Sequence, residues 1–325
     1  MTHEIVKRRF LVLTMVLWGV LCILCGSVSG AVSSKTYYNQ GNRYLVQKKY
    51  DKAIEKYKKA IAINSKRAVY YYRLGEAYKC KGMNEEAVQY LEKTIALNEN
   101  YYSAYAMLGQ TLVEMGQYQK ALEYYHVLVA KCPKDSQVHF SLARICEING
   151  DVDGAIEEYE AALKIRANYH AALCNLGEAY ARKGEYGKAV DSYVRARKIR
   201  PYDENVVVAL GVAYTKLKDF HEAKDIFSIA LKINPFNRDT RFYLGKTYYG
   251  LGNLEQAIKQ TERALSIDPE SADIHFTLGL YYDKKGWTDM AEAEYNEAMR
   301  LDPGYLGRRL KMLEEKKNRP VESHQ

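Results

Sequence analysis

Residues 172–201 read ALCNLGEAYARKGEYGKAVDSYVRARKIRP, and the pattern of this segment indicates the fold. Apolar or small residues recur at helical spacing in its two halves, at Leu176, Tyr180, Ala189, Tyr193 and Ala196. Gly184 separates the halves, and a glycine between two periodic stretches is typical of a helix end and a turn. Pro201 closes the segment, where a following helix accepts a proline in its first turn. The pattern predicts a pair of amphipathic helices.

The same pattern recurs along the chain with a period of 34 residues. Glycines stand at Gly41, Gly75, Gly109, Gly177, Gly211, Gly245 and Gly279, and Ala143 fills the one vacant place. Alanines stand at Ala53, Ala87, Ala121, Ala155, Ala189, Ala223, Ala257 and Ala291. Prolines close five of the repeats, at Pro133, Pro201, Pro235, Pro269 and Pro303. A fixed period of this length is typical of an architecture in which each repeat packs on its neighbours.

This arrangement of small and large residues resembles the tetratricopeptide repeat family over residues 34–305. The resemblance implies an all-α fold: a right-handed superhelical solenoid of eight 34-residue helix-turn-helix repeats, with a concave groove lined by the first helices. The repeats are numbered 1 to 8 and span 34–67, 68–101, 102–135, 136–169, 170–203, 204–237, 238–271 and 272–305.

The sequence after the last repeat predicts a short cap. Leu306, Leu310 and Leu313 fall on one face of a basic helix, predicted at residues 306–317. Such a helix would cover the apolar edge that the terminal repeat otherwise exposes. Residues 318–325 are expected to form a disordered tail.

The first thirty residues have the pattern of an export segment. Lys7, Arg8 and Arg9 precede an apolar or small run over residues 10–25, and small residues follow it. We expect a signal peptide over residues 1–30, cleaved to release the protein into a bacterial periplasm. Two alternatives stay open: an uncleaved N-terminal anchor that attaches the protein to the membrane, and a lipoprotein acylated at Cys25 or Cys22.

Aromatic residues are unevenly distributed among types, with 30 tyrosines against 7 phenylalanines and 2 tryptophans. Tyrosine suits positions where the ring is buried and the hydroxyl reaches solvent or a polar partner. One tyrosine recurs at the same place of six repeats: Tyr44, Tyr78, Tyr180, Tyr214, Tyr248 and Tyr282. We expect these side chains to fill the wedge between neighbouring helix pairs.

Charge and cysteine content exclude several classes of function. The net charge of +8 is a small difference between 48 basic and 40 acidic residues, and a nucleic-acid partner is not expected. Cys80, Cys132, Cys146 and Cys174 form no CxxC motif and have no zinc-like spacing. The sequence leaves open whether any two of them form a disulfide.

No catalytic, cofactor-binding or metal-binding residue is predicted. The repeats leave no segment of the chain for a separate catalytic domain. Gly245, Lys246 and Thr247 look like the end of a phosphate-binding loop, but Thr240 stands where the partner glycine is needed. Histidines His139 and His275 both fall at the fourth place of a repeat, which is typical of core or rim positions.

The first helices supply the candidate binding residues. In repeats 2 to 5 their inner places carry charges of both signs: Glu76, Lys79, Glu114, Arg144, Glu147, Glu178 and Arg182. In repeats 6 to 8 the candidates are mostly apolar: Val208, Val212, Phe242, Lys246, Tyr249, Phe276 and Leu280. Exposed apolar side chains often mark a binding surface, so the sequence predicts a partner-binding groove in repeats 6 to 8. Coverage of these side chains by neighbouring repeats or by the cap is the alternative.

Two functional hypotheses follow. The first is a non-enzymatic protein–protein interaction scaffold of the cell envelope, which binds a peptide or helix of another exported protein in its concave groove. The second is a periplasmic ligand-delivery component that binds a small apolar or lipid-like ligand for a transporter. The sequence identifies neither the partner nor the oligomeric state.

Overall fold

The computed structural model describes residues 33–304 and Gly307, and within these residues it contains sixteen α-helices and no β-strand. The described residues divide into two compact units, one that ends at Lys131 and one that begins at Cys132. The N-terminal unit holds α1 (Ser34–Val46), α2 (Tyr50–Ile63), α3 (Ala68–Lys81), α4 (Asn84–Leu97), α5 (Tyr102–Glu114) and α6 (Tyr118–Lys131). The C-terminal unit holds α7 (Ser136–Ile148), α8 (Val152–Ile165), α9 (His170–Lys183), α10 (Tyr186–Ile199), α11 (Glu204–Leu217), α12 (Phe220–Ile233), α13 (Arg238–Gly250), α14 (Leu254–Ile267), α15 (Ala272–Lys285) and α16 (Thr288–Leu301). The expected all-α fold built from repeated helix pairs is confirmed.

Each odd-numbered helix and the even-numbered helix that follows it form a hairpin, because only two or three residues join them. Gly184 ends α9 in the left-handed conformation, with φ 81°. Its N–H donates to the carbonyl of Ala181, and the N–H of Glu185 donates to that of Tyr180. These bonds satisfy carbonyls that a helix end leaves open. Lys218 takes the same left-handed conformation after α11, where no glycine is present.

In the N-terminal unit, a buried core cluster combines small and aromatic residues. Ala53, Tyr57 and Leu74 are fully buried and pack with Tyr78. Tyr57 also donates its hydroxyl hydrogen to Oδ1 of Asn42 at 2.8 Å, so its polar end is satisfied. Tyrosine therefore packs in this core without leaving an unpaired hydroxyl.

The core of the C-terminal unit follows the same plan through repeats 6 to 8. Ala223, Phe227 and Leu244 form one buried cluster. The next cluster along the chain contains Ala257, Ile258, Leu278, Tyr281, Tyr282 and Ala291. The repeated alanines admit close helix contacts, because they leave room for the large side chains beside them.

The wedge tyrosines are buried or half-buried, and two of them bond to the preceding repeat through their hydroxyls. Tyr180 donates to Oε1 of Glu160 at 2.5 Å, and Tyr282 donates to Oε1 of Glu262 at 2.8 Å. Each acceptor lies on the second helix of the preceding repeat, so the hydroxyl links one repeat to the next. Tyr78, Tyr180 and Tyr282 are buried, whereas Tyr44, Tyr214 and Tyr248 are half-buried.

Three sequence-based predictions fall outside the described residues: the export segment at 1–30, the capping helix at 306–317 and the tail at 318–325. Within the described part of the chain, no helix combines the length and the apolar character that crossing a membrane requires.

Candidate functional site

The predicted groove residues lie on the first helices of repeats 6 to 8, all in the C-terminal unit. Val208 and Val212 are on α11, Phe242, Lys246 and Tyr249 on α13, and Phe276 and Leu280 on α15. Six of the seven fall at the fifth and ninth places of their repeats. Residues four apart share a helix face, so each helix presents one stripe.

Phe242 is not an exposed groove residue, which corrects the sequence-based expectation. Its side chain is only 5 % exposed and packs in a core cluster with Ala264 and Ile274. Nζ of Lys246 lies 3.9 Å from the centroid of its ring and covers it from outside. Phe242 therefore belongs to the core, and Lys246 covers the outer side of its ring.

Lys246 already has partners within the protein. Its Nζ lies 3.6 Å from Oδ2 of Asp273 and also faces the ring of Tyr243, with 5.4 Å to the centroid. The ion pair joins α13 to α15. A partner carboxylate at Lys246 would compete with Asp273, so the cation is a weaker anchor than the sequence alone indicates.

Tyr249 and Leu280 are the exposed members of the set, with 43 % and 40 % of their areas accessible. The ring of Tyr249 stacks on that of Tyr281, with centroids 4.9 Å apart and 22° between the planes. Tyr281 is buried, and this burial raises the pKa of its hydroxyl. The stack fixes one face of Tyr249 and leaves apolar area accessible beside α15.

The other predicted residues divide between packing and surface. Phe276 is half-buried, and its ring lies 5.4 Å from that of Tyr295. Val212 is half-buried against the cluster that contains Phe227, and Val208 is also half-buried. These three side chains can border a binding surface but cannot supply most of its area.

Several of the charged residues in the earlier repeats are paired within their own unit. In the N-terminal unit, Nζ of Lys79 lies 3.1 Å from Oε1 of Glu114. In the C-terminal unit, Nη1 of Arg182 lies 3.1 Å from Oε1 of Glu147, and Tyr159 donates its hydroxyl hydrogen to the second oxygen of that carboxylate at 2.8 Å. These charges therefore stabilise neighbouring helices in the absence of a ligand.

The two histidines singled out from the sequence make matching structural contacts. Nδ1 of His139 lies 2.6 Å from a carboxylate oxygen of Glu158, and Nδ1 of His275 lies 2.5 Å from one of Glu294. In both histidines, Nε2 contacts a proline carbonyl of the preceding loop. In repeat 7, the guanidinium of Arg241 makes the same kind of contact with a proline carbonyl. Among residues 33–304, no cluster of three or more His, Cys, Asp or Glu side chains could hold a metal ion.

All four cysteines of the described part are free thiols. Cys146 is buried and Cys80 is exposed, while Cys132 and Cys174 are intermediate. Burial raises the pKa of Cys146 and of Cys174, each to about 11. Thiols with a pKa this high are protonated at neutral pH and are poor nucleophiles.

Sequence reasoning missed two exposed aromatic residues on loops. Tyr202 lies between α10 and α11, and Phe236 lies at the same place one repeat later, between α12 and α13. Each has 78 % of its area accessible. A comparison of this loop place across the repeats would have found them, because no other repeat has an aromatic residue there.

Models of known families match most of the chain between residues 41 and 305. The model described as TPR repeat matches residues 41–82 and 245–286. One described as tetratricopeptide repeat matches 106–170 and 149–204, and another with that description matches 68–101, 205–237 and 272–305. A comparison with curated proteins finds no match.

Solved structures share the fold at low sequence identity. The C-terminal part of a TPR repeat-containing protein from Cytophaga hutchinsonii is 18 % identical, with a TM-score of 0.64 over 74 % of this chain and 99 % of that one. A tetratricopeptide repeat protein from Parabacteroides merdae is 15 % identical, with a TM-score of 0.54 over 72 % and 93 %. MamA from Desulfovibrio magneticus is 22 % identical, with a TM-score of 0.50 over 52 % and 96 %. These similarities concern the fold alone.

Proposed function

Because the chain belongs to the tetratricopeptide repeat family, we propose that it is a non-enzymatic protein–protein interaction scaffold that binds a peptide or helix of another exported protein. The observation that carries the proposal is the apolar surface formed by Tyr249 on α13 and Leu280 on α15. Both side chains are large, apolar and two-fifths exposed on first helices of adjacent repeats.

The packing of the repeats does not require these residue types. Leu280 stands at the ninth place of its repeat, which holds Arg144 in repeat 4 and Glu178 in repeat 5. Tyr249 stands at the twelfth place of its repeat, which holds Glu147 in repeat 4. Charged residues thus serve the same helix positions elsewhere in the C-terminal unit. An exposed apolar pair at such places supports a binding role.

Tyr249 has the properties of an interface anchor. Its ring is already fixed by the stack on Tyr281, so little side-chain freedom is lost when a partner covers the exposed face. Tyrosine is also among the residues enriched at binding hot spots. The partner we propose presents apolar side chains to Tyr249 and Leu280, with half-buried Phe276 at the border.

The location we propose is the cell envelope. The support is the basic and apolar pattern of residues 7–25, which is typical of exported proteins. A partner in the same compartment would be another exported protein. Mass spectrometry of the native protein would test this part separately, since cleavage near residue 30, an intact start or an acylated cysteine give different masses.

The binding surface can be tested by crosslinking and capture from the native envelope. Tyr249→Ala and Leu280→Ala are expected to weaken capture of the crosslinked partner by about 30-fold each, as for hot-spot truncations of about 2 kcal/mol. Met290→Ala is the matched control, because Met290 is exposed and apolar but lies on the second helix α16. Thermal unfolding of each variant shows whether the fold is retained.

Phe242→Ala separates binding from stability. Because Phe242 is buried, its truncation is expected to lower the free energy of unfolding by about 3–5 kcal/mol. Capture per folded molecule should stay close to normal. Equal capture by the Tyr249, Leu280 and Met290 variants would overturn the proposed surface, and copurification of an apolar small molecule in place of a protein would favour ligand delivery.

A further inference from the structure

A second surface of the C-terminal unit lies at the loops that join repeats 5, 6 and 7. Tyr202 and Phe236 stand on successive loops at equivalent places, each 78 % exposed. Arg197, Lys198 and Lys232 lie near the ends of the helices that lead into these loops. We call these five residues the basic loop edge.

The repeat itself does not need an aromatic residue at this loop place. The other six repeats carry polar or small residues there: Lys66, Asn100, Lys134, Asn168, Glu270 and Gly304. Exposed aromatic side chains lower solubility unless they are covered during function. Their presence on two consecutive loops therefore indicates a contact specific to repeats 5 and 6.

A pocket of about 610 Å³ opens beside Tyr202. It is lined by Arg197, Pro201, Tyr202, Ile229, Lys232 and Ile233. The lining combines two cations with apolar side chains and includes no carboxylate. Such a lining fits a group that is anionic at one end and apolar at the other.

Arg197 is one of the two cations that line the pocket. Its Nη1 is buried and has no hydrogen-bond partner among the described residues. A buried donor of a charged group is costly when unpaired. Arg197 as a whole lines the pocket, and its guanidinium matches the planar geometry of phosphate and carboxylate oxygens.

The surrounding charge is positive and available. Among residues 33–304, no ion pair engages Arg195, Arg197, Lys198, Arg200 or Lys232. Two neighbouring carboxylates, Asp203 and Glu204, keep their negative charges but are outnumbered by these five cations. Oε1 of Glu204 accepts hydrogen bonds from the side chains of Asn234 and Asn237, and Asp203 accepts one from the N–H of Val206.

We propose that the basic loop edge binds the anionic surface of a phospholipid bilayer. Tyr202 and Phe236 enter the interfacial layer, where amphipathic rings are favoured, and the nearby cations face the lipid phosphates. One headgroup phosphate reaches Arg197 in the pocket. A bilayer is favoured over an acidic protein because both aromatic side chains are highly exposed on loops at equivalent places of successive repeats, beside cations, as suits the interfacial layer. This inference does not depend on the proposed function, since it uses different elements.

The test uses the full chain with an environment-sensitive fluorescent amino acid at position 202, 236 or 290. Because the label reports membrane contact at its own position, the readout is separate from any membrane contact made by residues 1–30. With vesicles of phosphatidylcholine and phosphatidylglycerol, we expect a blue shift at 202 and 236 and none at 290. Position 290 is the control, since Met290 is exposed on another helix. Added salt should reverse the shift by screening the surface charges.

Charge variants test the role of the pocket. The double variant Arg197→Gln and Lys232→Gln should weaken binding to the anionic vesicles by about 30-fold, since each cation near the surface contributes about 1 kcal/mol. The double variant Lys259→Gln and Lys284→Gln removes the same charge from other exposed positions and should have little effect. The proposal is overturned if positions 202 and 236 show no shift on any vesicle. It is also overturned if pure phosphatidylcholine gives an equal shift, or if only an acidic polypeptide such as polyglutamate produces one.

Discussion

Gly177 and Tyr193 approach so closely that a Cβ atom added to Gly177 would lie 2.5 Å from Cε1 of Tyr193. The glycine is on α9 and the tyrosine on α10, so the contact sets the spacing of the two helices of repeat 5. The same approach recurs in four other pairs sixteen residues apart: Gly41 with Tyr57, Gly109 with Tyr125, Gly211 with Phe227, and Gly279 with Tyr295. The absence of a glycine side chain is therefore what allows a large ring to pack inside each of these hairpins.

Replacing Gly177 should consequently destabilise the protein. Gly177→Leu gains about 1 kcal/mol of helix propensity but forces the Tyr193 ring or α10 to move, an overpacking cost of about 1–3 kcal/mol or more. We expect a lower midpoint of denaturant unfolding. Gly187→Ala on α10 is the control, because nothing lies within 4 Å of its added Cβ, and it should be neutral or stabilising. An unchanged midpoint for Gly177→Leu would mean that the helices are not in close contact there.

The hydroxyl of Tyr159 should contribute measurably to stability. It donates to Oε2 of Glu147 at 2.8 Å and accepts from Nδ2 of Asn175 at 3.0 Å. Tyr159→Phe leaves both partners without this bond and should cost about 1–3 kcal/mol. Tyr193→Phe is matched to it, since Tyr193 holds the same place one repeat later and its hydroxyl bonds to no described residue. Equal losses in the two variants, measured by chemical denaturation, would contradict a role for the hydrogen bonds.

The buried tyrosines predict a loss of stability at alkaline pH. Burial raises the pKa of the Tyr57, Tyr159, Tyr193 and Tyr281 hydroxyls above the usual value of about 10. The unfolded chain then releases these protons first, and above about pH 10 it binds fewer protons than the folded protein. This contribution is fully present below about pH 10 and is lost as the pH rises further. Phenolate absorption and circular dichroism should therefore change together, and complete tyrosine ionisation with an intact helical signal would contradict the prediction.

The cysteines should differ in their rates of alkylation. The pKa of Cys146 is raised to about 11 by burial, so at about pH 8 its thiolate fraction is roughly 10²-fold below that of an ordinary cysteine. Exposed Cys80 should react with iodoacetamide before buried Cys146, as measured by peptide mass spectrometry. In denaturant the two rates should converge. Equal rates in the folded protein would show that Cys146 is accessible.

Much of the fold could be predicted from the sequence because each repeat is a local structure. The two helices of the quoted segment, His170–Lys183 and Tyr186–Ile199, form where the apolar spacing and Gly184 place them. Small residues at fixed intervals also indicate where helices approach. These features depend on residues within about one period, so periodicity is sufficient to find them.

The candidate surfaces were less predictable, because exposure depends on neighbours that are distant in the sequence. Phe242 and Tyr249 lie on the same helix, and the pattern gives them similar roles. The structure buries Phe242 among Ala264, Ile274 and Lys246, while the stack on Tyr281 leaves Tyr249 exposed.

The all-α class, the repeat period and the packing glycines are predictable from the amino-acid sequence, since these follow from local propensity and from residues that recur at fixed spacing. The packed helices were needed to show which apolar residues stay accessible, that Lys246 pairs with Asp273, and that Arg197 lines a pocket and has a buried nitrogen without a hydrogen-bond partner. The physical reason is that accessibility and hydrogen bonding are set by side chains brought together from different helices, and their separation along the chain carries no periodic signal.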